Sequence, residues 1–144
     1  MVSEYDSGGE ERRLRPLYEA IDSRNYKAAL KIADTLLKKK PGHQLVRVLK
    51  AITYERMGRR TEAIDLAETI RKEAPTDEHV LSTMVLVYKA TGQTEKLLEM
   101  YESATEAHPD NIELLRGLFT ALIRVDNFAK QQQTAMKLYK FTKE

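Results

Sequence analysis

Residues 71–79 read RKEAPTDEH, a charged run that stops at Ala74-Pro75 and then starts again. Proline supplies no backbone donor and pushes the residue before it out of the helical region, so Pro75 reads as the end of a helix. Pro41 lies 34 residues before it and Pro109 lies 34 residues after it. Of the four prolines only Pro16 stands outside this period. A fixed spacing of this length is the mark of a repeat array in which one supersecondary unit recurs.

With the three prolines set at position 32 of a 34-residue frame, the repeats begin at Glu10, Gln44, Glu78 and Ile112. The expected units are 10–43, 44–77, 78–111 and a partial or uncapped 112–144, preceded by a flexible lead-in over residues 1–9 that contains Ser7-Gly8-Gly9. Other columns then align. Position 20 holds Ala29, Ala63, Leu97 and Gln131, and position 24 holds Ala33, Ala67, Tyr101 and Ala135. Position 11 holds Ala20, Tyr54, Tyr88 and Leu122, while position 15 holds Arg24, Gly58, Gly92 and Asp126. Within each unit the apolar residues keep helical spacing, as with Leu45, Val48, Leu49 and Ile52, then Ala63, Ile64, Ala67 and Ile70. Gly58 and Gly92 sit where a left-handed residue closes a helix, and Thr61 and either Thr76 or Asp77 sit where a side chain opens one. The chain reads as all-α: about four antiparallel helix pairs stacked into a solenoid.

Proline at position 32, alanine at 20, glycine at 15 and an aromatic at 11 resemble the tetratricopeptide repeat, best over residues 44–111. The resemblance implies a right-handed superhelix whose concave face is lined by the first helix of each pair, mainly from positions 2, 5, 9, 12 and 13. In the N-terminal half this gives an apolar groove of Leu14, Tyr18, Ile21, Leu45, Val48 and Ile52, bordered by Arg56. Such a patch marks a protein contact, and an amphipathic helix is its natural ligand. The cationic clamp by which chaperone-binding members hold a C-terminal carboxylate is not expected, because its positions carry Leu14 and Tyr18, or Val48 and Ile52. In the last unit Met136, Leu138, Tyr139 and Phe141 have no following helix to cover them, which reads as the open end of a longer array.

The composition narrows the function. There are no cysteines, so thiol catalysis, disulfides and thiolate metal sites are not expected, and a reducing cytoplasmic setting is. The net charge of +2 gives no general argument for nucleic acid, and no apolar run reaches the length of a membrane span. His43, His79 and His108 fall one per inter-repeat turn, without the spacing of a metal site. No nucleophile–base pair, paired carboxylates or glycine-rich phosphate loop stands out, so neither catalysis nor a bound cofactor is expected of this chain. Two basic clusters, Arg12, Arg13 and Arg15, then Lys38, Lys39 and Lys40, are candidates for an RNA or ribosome contact by counterion release.

One resemblance is narrower than the repeat. The segments RRLRPLY at 12–18, ADTLLKK at 33–39, VLKAI at 48–52 and APTD at 74–77 resemble the N-terminal end of the auxiliary subunits of NatB-type N-terminal acetyltransferases. That family implies a long, non-catalytic repeat scaffold that stabilises a small catalytic acetyltransferase subunit and helps place it near ribosomes. It implies acetylation of nascent chains beginning Met-Asp, Met-Glu, Met-Asn or Met-Gln, with acetyl-CoA held by the partner. The alternative is a generic adaptor that binds a partner helix in its groove.

Overall fold

The computed structural model describes the backbone of residues 3–124 and 128–143. Eight helices occupy the described residues, with no strand among them. They are α1 (Ser3–Asp22), α2 (Tyr26–Lys39), α3 (Gln44–Arg56), α4 (Arg60–Lys72), α5 (Glu78–Ala90), α6 (Thr94–Ala107), α7 (Ile112–Arg124) and α8 (Phe128–Lys143). Each helix packs on the next, and α3 also packs on α5, the stacking of one repeat's first helix on its neighbour's. Helices α3, α5 and α7 begin at intervals of 34 residues.

Local chemistry sets the ends. Asp77 opens α5, its Oδ1 accepting from the backbone N–H groups of His79 at 2.9 Å and Val80 at 3.2 Å. Asn111 does the same for α7, accepting from Glu113 and Leu114. Thr61, expected to open α4, instead lies in its first turn, because α4 starts at Arg60 with Arg59 at the cap. Arg59 is held there by Glu62 at 2.6 Å, with its guanidinium 4.6 Å from the centroid of the Tyr54 ring. Glu62 also complements the helix N-terminus, so α4 begins without a hydroxyl cap.

Gly58 and Gly92 take φ of +81° and +72° after α3 and α5. The same frame position in the first pair is Arg24, at φ +64°. A side chain in the left-handed region costs about 1–2 kcal/mol. Arg24→Gly is therefore expected to stabilise the chain by roughly 1 kcal/mol, read as a higher urea midpoint with an unchanged slope. An unchanged midpoint would mean that the Arg24 side chain offsets its backbone.

The repeat columns form the core. Ala29, Ala33, Ala63 and Ala67 are fully buried, small enough for neighbouring helices to approach closely, with Ile70, Met84, Tyr88 and Leu97 filling the space between layers. Where position 24 carries a large residue, its neighbour gives way. Tyr101 lies against Gly117 of α7, and a Cβ at Gly117 would stand 2.7 Å from the ring's Cζ. Gly117→Ala should destabilise by about 1 kcal/mol: overpacking costs about 1–3, partly offset by a helix-propensity gain of about 1. In a Tyr101→Ala background the same change should stabilise, and urea titration of the four chains checks the reversal.

Two regions differ from expectation or extend it. Of the lead-in expected over residues 1–9, the described residues are helical, since α1 begins at Ser3 and runs through Gly8-Gly9. Pro16 lies inside α1, where it removes one intrahelical hydrogen bond. At the other end, Met136 and Tyr139 of α8 are 66% and 63% exposed, Phe141 is also exposed and Leu138 is half-buried.

Candidate protein-binding cleft

Because α1 packs chiefly on α2 while α3 packs on α4 and α5, α1 stands apart from α3. The gap is a cleft of about 740 Å³. One wall is the face of α1 that carries Leu14, Arg15, Tyr18, Glu19 and Asp22. The other is made by the N-terminal ends of α3, with His43, Gln44 and Leu45, and of α5, with Asp77, His79 and Val80. Leu14 and Val80 are buried at the floor, Leu45 is half-buried and Tyr18 is 40% exposed. The rim is polar and carries both charges. His43 is fixed at the start of α3, its Nδ1 accepting from the backbone N–H of Val46 at 3.4 Å.

The residues of the groove expected from the sequence fall in three places. Leu14, Tyr18 and Leu45 line the cleft. Ile21 is buried and, with the exposed Arg56, borders a separate hollow beside Asp22, Arg24 and Tyr26. Val48 and Ile52, at 0% and 5% exposure, belong to the core and line neither space. The reason is the position of α3, which is covered by α2, α4 and α5 together. Val46, Val48, Leu49, Ala51, Ile52 and Thr53 are all buried, leaving little of the helix free. Among the described residues, the large apolar side chains that face solvent on the first helices of the pairs are Tyr18, Leu86 at 52% and Ile123 at 49%. Leu86 shares frame position 9 with Tyr18 and the buried Ile52, so the column alone does not decide exposure. His79 holds position 2 of the third repeat, a concave-face position of the frame, whereas His43, Gln44 and Asp77 carry no sequence signal beyond flanking turns at helix starts.

The two basic clusters come to one end of the first pair. An antiparallel hairpin sets the middle of α1, with Arg12, Arg13 and Arg15, toward the C-terminal end of α2 and Lys38, Lys39 and Lys40. All six are exposed, and none makes an ion pair among the described residues.

A set of polar ties joins neighbouring helices from α2 to α6. Arg47 of α3 reaches Glu73 after α4 at 2.8 Å, and Gln44 also donates to Glu73 at 3.1 Å. These hydrogen bonds, Gln44 first, hold the Glu73 carboxyl below its usual range. Lys50 of α3 pairs with Asp34 of α2 at 2.8 Å. Arg60 donates to the carbonyl of Thr91 at the end of α5. Between the second and third pairs Glu68 is a hub: it accepts from Arg71 at 2.8 Å and from the buried Tyr88 hydroxyl at 2.9 Å. Arg71 also reaches Glu99 of α6 at 3.1 Å.

Comparison with known proteins agrees with this architecture. The sequence model described as "Psidin, N-terminal TPR repeats region" matches residues 11–144. The chain belongs to the Psidin N-terminal TPR-repeat family. Among related proteins, the N-terminal acetyltransferase B complex auxiliary subunit NAA25 of Arabidopsis thaliana is 41% identical over 140 residues, 93% of this chain. The human N-alpha-acetyltransferase 25, NatB auxiliary subunit, is 38% identical over 130 residues, 90% of this chain. The chain spans 13% of the length of each. Among solved structures, a chain of Naa15/Naa10 bound to HypK-THB superposes with a TM-score of 0.66 at 22% identity, over 91% of this chain and 20% of that one. A tetratricopeptide repeat protein from Parabacteroides merdae gives 0.62 at 18% identity, over 93% of this chain and 54% of that one. At these identities the likeness is one of fold. The Psidin-type repeats and the helix-pair array thus agree on one architecture.

Proposed function

We infer that this chain is the N-terminal repeat segment of a non-catalytic scaffold subunit in a NatB-type N-terminal acetyltransferase. Its complex acetylates nascent chains in the cytoplasm through a separate catalytic subunit. The observation that carries this reading is the 41% identity, across 93% of the chain, to a protein named as a NatB auxiliary subunit. The physical site agrees with a scaffold: an open cleft with an apolar floor and a mixed polar rim suits a protein surface. Depletion of the full-length protein should lower N-terminal acetylation of proteins beginning Met-Asp, Met-Glu, Met-Asn and Met-Gln, and of no other class. Acetylation profiles that stay unchanged would refute the reading and leave an adaptor of unrelated complexes.

A second contact is favoured by the basic end of the first helix pair. Arg12, Arg13, Lys38, Lys39 and Lys40 are set to meet ribosomal RNA phosphates. Binding of this kind weakens steeply with salt because counterions are released. Co-sedimentation of the full-length protein with ribosomes should fall as salt rises, and should fall at fixed salt when Lys38, Lys39 and Lys40 are changed to Glu. Salt-independent co-sedimentation would exclude this contact without touching the scaffold reading.

A further inference from the structure

The cleft beside α1 has a charge order that its volume does not explain. Along α1 the exposed wall reads Arg15, then Tyr18 and Glu19, then Asp22: a cation at one end and two carboxylates at the other. None of Arg15, Glu19 and Asp22 makes an ion pair among the described residues. At 1.5 Å per residue, Arg15 and Asp22 lie about 10 Å apart along the helix, or about two turns. A two-turn helical segment, a cylinder about 11 Å long and roughly 10 Å across, has a volume of about 850 Å³. The cleft, at about 740 Å³ and open on one side, takes most of such a segment and leaves its outer edge in solvent.

We propose that the occupant is a two-turn amphipathic helix of a partner protein, lying parallel to α1 with an acidic first turn against Arg15 and basic residues one and two turns later against Glu19 and Asp22. Its apolar face meets Leu14, Tyr18, Leu45 and Val80. The parallel direction follows from two requirements that agree. Side-chain charge must complement the wall, and acid-first, base-last is also the order a helix dipole favours within the occupant itself. The antiparallel direction would need cations in the occupant's first turn and carboxylates in its last, against its own dipole. The ends of α3 and α5 bring N-terminal backbone to the opposite wall, but His43 and Asp77 already accept from those N–H groups, so that wall fixes shape more than charge. This proposal rests on the reading of the chain as a protein-binding array, and it holds whichever protein supplies the helix.

The test uses the full-length protein with the subunit that co-purifies with it. Two synthetic, fluorescein-labelled helical peptides share one apolar face. The forward peptide carries Glu in its first turn and Lys one and two turns later; the reversed peptide exchanges them. The forward peptide should bind at least about tenfold more tightly by fluorescence anisotropy. A triple charge swap, Arg15→Glu with Glu19→Lys and Asp22→Lys, should invert that preference, and Tyr18→Ala should weaken both peptides. All of these side chains are exposed, so circular dichroism should show an unchanged melting profile for each variant. Equal affinity for the two peptides, binding by neither, or a swap that leaves the order unchanged would overturn the proposal. A subunit that still co-purifies in any of these cases shows that the scaffold reading has survived the failure.

Discussion

Val48→Glu is expected to unfold the first two helix pairs. Val48 has no exposed surface and lies in a helix covered by α2, α4 and α5, so a carboxylate there has neither water nor a cation to meet. Burying an uncompensated charge costs several kcal/mol even after relaxation, against a total stability of about 5–15 kcal/mol for a domain of this kind. Ile52→Glu should behave alike. In a stacked array each pair is held only by its neighbours, so the loss of α3 also removes the support of α1 and α2. The expected record is loss of hydrogen-exchange protection across α1 to α4, with partial protection kept in α5 to α7. Tyr18→Glu is the contrast: at 40% exposure on the cleft wall it should change stability by no more than about 0.5 kcal/mol. If Val48→Glu melts like the unmodified chain, Val48 faces solvent and the apolar groove first expected from the repeat columns is restored.

The second large effect is centred on Glu68. Its carboxylate joins α4 to Tyr88 of α5, and Arg71 carries the link on to Glu99 of α6. Glu68→Ala leaves the hydroxyl of a fully buried tyrosine without its acceptor and weakens the tie between the second and third pairs. An orphaned buried group costs about 1–3 kcal/mol, and the lost charge-assisted bond to Arg71 adds to it. A fall of about 3 kcal/mol is expected. The hub also sets a pH dependence. The hydrogen bond from Arg71, followed by that from Tyr88, holds the Glu68 carboxyl below its usual range. A carboxyl with a depressed folded-state pKa stabilises the fold above its unfolded value near 4.5 and loses that contribution as pH falls through the folded value. Burial first, and then the Glu68 carboxylate, push the Tyr88 phenol upward. The folded chain therefore holds that proton more tightly than the unfolded one, and stability declines as pH rises beyond about 10. Urea titration from pH 3 to 11 should show both limbs. Glu68→Gln should flatten the acid limb, and Tyr88→Phe should flatten the alkaline one. If Tyr88→Phe leaves stability unchanged at neutral pH and leaves the alkaline limb in place, the hub contributes nothing to the joint between the pairs.

How much of this was legible in the sequence depended on whether one residue or several neighbours decide the outcome. Pro41, Pro75 and Pro109 mark helix ends by their own chemistry, and Gly58 and Gly92 adopt the left-handed turn assigned to them. Asp77 caps α5 through its own carboxylate. Ala29, Ala33, Ala63 and Ala67 of positions 20 and 24 are buried because they lie between packed helices, whereas Ala135, at position 24 of the last helix, is exposed. Exposure on the concave side obeys a different rule. Tyr18, Ile52 and Leu86 share one column, yet Ile52 is buried and the other two are open, because coverage depends on how closely the next helix approaches. The distance between α1 and α3 creates the cleft, and no spacing in the sequence encodes it. Thr61 shows the same limit on a smaller scale, displaced from its capping role by an Arg59–Glu62 pair.

The scaffold assignment is tested most directly by tagging the full-length protein at its native level, purifying it from cytosol, and quantifying what accompanies it by mass spectrometry. One small acetyltransferase at equal stoichiometry is expected, with Met-Glu peptide N-acetylation activity in the eluate. A stoichiometric companion of another kind, with no acetyltransferase recovered, would contradict it and leave the repeat fold attached to a different assembly.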